Sequence, residues 1–90
     1  MVKLRLFSAL REMAGAKEVE VEGEGLSINE ALERFAGRYG ERARKTLFDA
    51  QGQLHPSVLL LVNGEAAEER AATRVKSGDT VQVLLPTAGG

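Results

Sequence analysis

The segment Ser27-Ile28-Asn29-Glu30-Ala31-Leu32-Glu33-Arg34-Phe35-Ala36-Gly37-Arg38-Tyr39-Gly40 decides the architecture of this chain. Ser27 followed three residues later by Glu30 is a capping box, in which each side chain satisfies a backbone amide that the first helical turn leaves unpaired. From there Ile28, Ala31, Leu32, Phe35, Ala36 and Tyr39 fall on one helical face. Gly40 is the stop, and Gly37 weakens only the last turn. The flanking sequence has a different period. Val2, Leu4 and Leu6 alternate with Lys3, Arg5 and Phe7, and Val19 and Val21 alternate with Glu18, Glu20 and Glu22. Both runs read as strands with one buried face. Ser57 to Val62 is the most apolar run, and Asn63-Gly64 after it is the strongest short signal for a tight hairpin. Thr80 to Leu85 is a final strand behind the turn Ser77-Gly78-Asp79. One long helix cannot cover both faces of such a sheet. The expected fold is therefore α+β: a mixed sheet of four to five strands with one main helix packed on one face.

Shorter elements fill the gaps. Ser8 to Ala14 reads as a helical turn stopped by Gly15, and Glu41 to Phe48 as a basic helix with Ala43 and Leu47 inward. Glu65 to Thr73 is compatible with a short strand and a turn of helix. The chain has 90 residues, 43% hydrophobic and 28% charged, which predicts a single soluble domain over residues 1–90 with a flexible tail at 86–90. A net charge of −1 gives no general attraction to nucleic acid or to an anionic membrane. Phe7, Phe35, Phe48 and Tyr39 are the only aromatic residues, too few for a base-stacking platform. The absence of cysteine excludes disulfides, thiolate metal sites and a cysteine nucleophile on this chain. Neither a signal-peptide core nor an apolar run long enough for a membrane span is seen, so a cytoplasmic location is expected.

Two features look functional. The first is apolar residues on the solvent side of the sheet. Phe7 has the parity of Lys3 and Arg5, Leu84 interrupts the polar parity of the last strand, and both parities of Val58-Leu59-Leu60-Leu61-Val62 are apolar. Either Leu59 and Leu61 or Val58, Leu60 and Val62 then face outward with Phe7 and Leu84, forming a patch of the kind that meets another protein. The competing possibilities are that the loop from Phe48 to Pro56 folds over that face, or that the strand lies buried in the sheet centre. The second feature is the tail Pro86-Thr87-Ala88-Gly89-Gly90. A terminal glycine carries a carboxylate with no side chain beside it and unrestricted φ, so it can thread a narrow channel into another protein's active site.

The remaining polar motifs assemble no catalytic constellation. His55 is the sole histidine and stands in a loop. Gly23-Glu24-Gly25 lacks the third glycine of a dinucleotide fingerprint. Arg34, Arg38, Arg42, Arg44 and Lys45 form a basic face, and Glu65, Glu68 and Glu69 an acidic segment, both read as solvated. Ser27 is explained by its cap.

Phe7-Ser8-Ala9-Leu10-Arg11-Glu12, Val62-Asn63-Gly64-Glu65, Ser77-Gly78-Asp79-Thr80-Val81 and the terminal Gly89-Gly90 occur in this order along the chain. Together they resemble the MoaD/ThiS family of ubiquitin-like sulfur carriers, and the match is nearer to MoaD, the small subunit of molybdopterin synthase. The resemblance implies a β-grasp fold and a non-catalytic carrier whose chemistry is supplied by its partners. An E1-like adenylating enzyme of the MoeB/ThiF type would use ATP and Mg²⁺ to adenylate the Gly90 carboxylate. A sulfurtransferase or other persulfide donor would replace AMP with sulfur, leaving a thiocarboxylate. A molybdopterin synthase large subunit of the MoaE type would take that sulfur in molybdenum cofactor biosynthesis. The implied tail inserted in the partner is Pro86, Thr87, Ala88, Gly89 and Gly90. The implied partner-facing residues are Phe7 and Leu84, with Arg11 at a position that ion-pairs with the activating enzyme. No metal or cofactor is expected on this chain itself.

The tail departs from the family pattern at Leu85, where a proline is common, and the segment Asp49 to Pro56 is longer than in compact MoaD proteins. A longer segment also occurs in relatives that supply sulfur for cysteine synthesis and in archaeal relatives that become attached to lysines. Other pathways, among them cysteine, thiamine or tRNA thiolation, and a role as a lysine-conjugated modifier therefore stand beside the molybdopterin reading. A β-grasp interaction module with an inert terminus is the third possibility.

Overall fold

The capping box forms as its spacing predicts. Ser27 Oγ accepts the Glu30 amide at 3.2 Å, and Glu30 Oε1 accepts the Ser27 amide at 3.0 Å. Two donors hold the Glu30 carboxyl below its ordinary value of 4.5, the Ser27 backbone amide first and the Ser27 hydroxyl, which donates to Oε1 at 3.2 Å, second. The computed structural model describes residues 1–22 and 24–85, so Gly23 and the tail residues 86–90 lie outside it. The described elements are β1 (Val2–Leu6), α1 (Ser8–Ala14), β2 (Glu18–Val21), α2 (Ile28–Tyr39), α3 (Glu41–Leu47), β3 (Leu59–Val62), β4 (Glu65–Ala66), a 3₁₀ turn (Arg70–Ala72) and β5 (Thr80–Leu84).

The five strands lie in the order β2-β1-β5-β3-β4. β1 and β5 run parallel in the middle of the sheet, and the other pairs are antiparallel. A mixed five-stranded sheet grasping one principal helix is the β-grasp arrangement, in agreement with the expectation. Val2, Leu4, Leu6, Val81 and Val83 point inward from the central strands against Ile28, Ala31, Leu32 and Phe35 of α2, and all are fully buried. Removing a side chain such as Phe35 from water contributes about 2–3 kcal/mol. Among the described residues no charged or polar one is buried.

The segment after α3 does not fold over the outer face of the sheet. Phe48 and Leu54 turn into the core beside Leu47 and Val58, and the exposed face is left open. The apolar run becomes a strand at Leu59 rather than Ser57, because the Val58 amide closes a turn onto the His55 carbonyl at 3.1 Å. Asn63 and Gly64 have φ of 52° and 89°, the two positive values that a two-residue hairpin of this hand requires.

The hairpin is tied to the start of β5. Asn63 Nδ2 donates to Asp79 Oδ1 at 3.0 Å, while Asn63 Oδ1 accepts the Thr80 amide at 3.0 Å. Asp79 Oδ2 accepts the Lys76 amide at 2.9 Å. These donors, the Lys76 amide first and the Asn63 side chain second, hold Asp79 below its ordinary carboxyl value of 3.8. A depressed native pKa stabilises the fold above the unfolded value, and that contribution is lost as pH falls through the native one. Asp79→Ala is expected to lower the unfolding free energy by about 1 kcal/mol at neutral pH. In urea titrations the gap between wild type and variant should close as the pH drops below 3.8.

Candidate functional site

The outer face of the sheet is divided. On one half Lys3 stands opposite Glu20 and Arg5 opposite Glu18, a charged ladder between β1 and β2. Arg5 Nε and Glu18 Oε2 are 4.0 Å apart with both side chains about half exposed, so the pair adds little stability. On the other half Leu59 of β3 stands opposite Leu84 of β5, with Leu61 opposite Gln82. Phe7 follows β1 in extended geometry, φ −134° and ψ 158°, and so keeps the outward parity of Lys3 and Arg5. Because Leu6 is level with Val83, the next step of the parallel register brings Phe7 level with Leu84.

Phe7, Leu84 and Leu59 thus form an apolar row across three strands, at the end of the sheet where β5 runs out toward the tail. Leu59 is 64% exposed, whereas Phe7 and Leu84 are half-buried. The ambiguity in the central run is resolved by β5. Leu60 must stand inward with Val83, so Leu59 and Leu61 turn outward. The sequence carried that signal only as an alternative, since both parities of the run are apolar.

Arg11 lies at one end of the row. Its guanidinium donates to the Leu6 carbonyl from Nε at 3.4 Å and from Nη2 at 3.3 Å, and its Cζ is 5.6 Å from the Phe7 ring centroid. That cation covers part of the ring, which accounts for the partial exposure of Phe7. Ser8, immediately after Phe7, has φ of 51°, a left-handed conformation uncommon outside glycine.

Three residues of the basic face, Arg34, Arg38 and Arg44, are engaged within the chain, while Arg42 and Lys45 are exposed. Arg44 donates to Glu33 Oε1 at 2.7 Å, Arg34 stands 4.0 Å from Glu22, and Arg38 donates to the Glu20 carbonyl at 2.9 Å. His55 is half-buried, and its amide donates to the Leu47 carbonyl at 2.9 Å. Among the described residues no group of three or more His, Asp or Glu is placed to hold a metal, and no helix is long and apolar enough to cross a membrane. Gly90 and the rest of the tail fall outside the described residues. What remains is an apolar row flanked by a cation, with no nucleophile and base brought together among the described residues.

A β-grasp body that offers an apolar face instead of a catalytic set has the build of a ubiquitin-like carrier. The comparisons give the family. The ThiS family model matches residues 4–90. Small archaeal modifier protein 1 of Haloferax volcanii is 32% identical over 87 residues, covering 96% of this chain and 97% of that protein. The CysO chain in the BexX/CysO complex of Amycolatopsis orientalis is 27% identical, covers 100% of both chains and superposes with a TM-score of 0.76. A Pyrococcus furiosus protein proposed to be subunit 1 of a molybdopterin converting factor is 28% identical, covers 96% of this chain and 97% of its own, with a TM-score of 0.72. This chain belongs to the ThiS family, among ubiquitin-like sulfur carriers and modifiers.

The exposure of the row predicts how it tolerates charge. Leu59→Asp should change the unfolding free energy by no more than about 0.5 kcal/mol. Phe7→Asp, from a half-buried position, should lower it by about 1 kcal/mol and leave a cooperatively folded protein. Urea unfolding followed by circular dichroism measures both, and loss of the fold in Phe7→Asp would place that ring in the core.

Proposed function

We propose that this chain is a sulfur carrier charged at the Gly90 carboxylate and that it delivers sulfur for molybdopterin synthesis. The observation that carries the reading is the row Phe7–Leu84–Leu59, which lies where β5 leads into the tail. A partner that grips the row is placed to receive residues 86–90 in its active site. Five residues span at most about 17 Å when extended, which bounds the depth of that site beyond Leu85.

In the first step an E1-like enzyme with ATP and Mg²⁺ forms the Gly90 acyl-adenylate and releases pyrophosphate. The carboxyl carbon becomes electrophilic because AMP is a good leaving group. Sulfide displaces AMP to give the thiocarboxylate directly, whereas a persulfide gives an acyl disulfide whose S–S bond a thiol of the donor then cleaves, releasing the thiocarboxylate and a disulfide. Glycine at the reacting position leaves both steps without a Cβ in the way. The thiocarboxylate sulfur bonds to an acceptor held by a large subunit, and water then cleaves the acyl–sulfur bond, leaving sulfur on the acceptor and returning the Gly90 carboxylate, so the carrier cycles. The body positions the tail, and the partners supply the acids, bases and nucleotide site. The 28% identity to the Pyrococcus furiosus protein supports the molybdopterin assignment.

A second reading has its own support in the 32% identity to Small archaeal modifier protein 1. In it the same adenylate is attacked by a lysine amine, and Gly90 forms an isopeptide bond.

Intact mass spectrometry after incubation with the host's E1-like enzyme, ATP and sulfide tests the first reading. Exchange of one oxygen for sulfur on the C-terminal peptide is expected, and deletion of Gly90 should abolish it with the fold unchanged. ATP-dependent conjugates in place of thiocarboxylate would favour the modifier. Neither product with an active enzyme would overturn both.

A further inference from the structure

Two apolar residues close the ends of the row, the half-buried Phe7 and the exposed Leu59. In each case the carbonyl of the preceding residue is held by an arginine. Arg11 holds Leu6, as described. Arg70 holds Val58: its Nη2 donates to the Val58 carbonyl at 2.6 Å and to the His55 carbonyl at 3.2 Å. The second grip is the stronger by distance and joins two points of the loop that feeds β3.

The location of Arg70 explains why a side chain is needed there. β4 is only two residues long, Glu65–Ala66, so it leaves the outer edge of β3 without a strand beyond Leu61. The edge carbonyls continue to find donors from the chain that follows. Leu60 accepts the Ala67 amide at 3.0 Å, and Val58 accepts the Arg70 guanidinium. Leu59 is thus bracketed by two carbonyls that are both held, although among the described residues no strand lies beside it on that edge.

Arg70 also has φ of 49°. A left-handed conformation in a long, non-glycine residue costs free energy and persists where the surroundings over-determine it. Three non-glycine residues among those described have positive φ: Ser8, Asn63 and Arg70. Asn63 belongs to the hairpin turn. The other two adjoin the two ends of the apolar row, one through sequence and one through its guanidinium.

We infer that Arg70 is a positioning residue for the docking row, fixing Leu59 through the Val58 carbonyl without touching the partner itself. The inference rests on the reading that the row receives a partner. Arg70 lines a depression with Ser27, Glu30 and Leu54, whereas Leu59 stands on the outer face of the sheet. A protein docked on the row meets Leu59 and not Arg70.

The test has two arms. In the first, native-state amide exchange is compared between wild type and Arg70→Gln. Exchange over residues 57–60 should accelerate by about tenfold, with β1 unaffected. Arg70→Lys, which offers a single donor centre, should recover part of the protection. Unchanged exchange at 57–60, or an equal acceleration throughout β1, would overturn the inference.

In the second arm, adenylation of the carrier by the E1-like enzyme is followed by ATP–pyrophosphate exchange. Arg70→Gln should raise KM for the carrier by about three- to tenfold and leave kcat unchanged. In a Leu59→Ala background the same substitution should add nothing, since it acts through that side chain. Additive effects, or a fall in kcat alone, would rule out positioning through Leu59. Wild-type protein that the enzyme does not adenylate would sink the carrier reading alone, and the exchange arm would still decide whether Arg70 holds Leu59.

Discussion

β1 and β5 lie side by side and parallel, Leu4 level with Val81 and Leu6 level with Val83, and all four side chains are fully buried. Nearly the whole chain separates these two strands, and everything between them has to be accommodated in one crossover. The entropy of closing so long a loop grows only with the logarithm of its length, so burial along the central strands can offset it. The position of α2 follows from that pairing. Its apolar face has one place to go, the inner side of the two central strands, and its capping box sets where it begins. The pairing also brings Phe7 level with Leu84, so the end of the first strand and the exit of the last are one surface.

That surface derives its character from what the rest of the molecule keeps for itself. The charged ladder of Lys3, Arg5, Glu18 and Glu20 solvates one half of the outer face, and Arg34, Arg38 and Arg44 are turned to carbonyls and carboxylates of the same chain. Little charge is left over for long-range steering, in keeping with a net charge of −1. The apolar half is different. Leu59 is left in water at a cost the fold does not recover, and its neighbours Phe7 and Leu84 are half covered. Desolvation of this row is the largest gain that contact with a partner can offer.

The features legible in the sequence were the ones set by neighbours along the chain. The cap at Ser27, the stripe from Ile28 to Tyr39, the Asn63-Gly64 turn and the stop at Gly15 each depend on residues within a turn or two. The outward parity of Phe7 and Leu84 was legible because polar residues flank them on alternate positions. The run from Val58 to Val62 was not, because its direction is chosen by register with β5, a contact across the sheet. The same holds for Arg11 and Arg70. Nothing local marks an arginine that will bind a backbone carbonyl: in sequence Arg11 reads as a solvated charge or as a contact for another protein, and Arg70 is not singled out. The strand is shorter than the run from Ser57 to Val62 for a related reason: Ser57 and Val58 belong to a turn closed on His55.

The central place of β5 bears on how such a protein is made. Translation delivers residues 80–84 after every other described element, so a nascent chain still short of them has β1 with one flank bare and α2 with half of its seat missing. Long-range pairing of this kind also forms late in folding. Until it forms there is no ordered Leu84 beside Phe7, and the apolar row does not exist as a surface. A protein that bound this row would thereby distinguish folded chains from ribosome-bound or misfolded ones, since a chain that lacks β5 has no Leu84 to set beside Phe7.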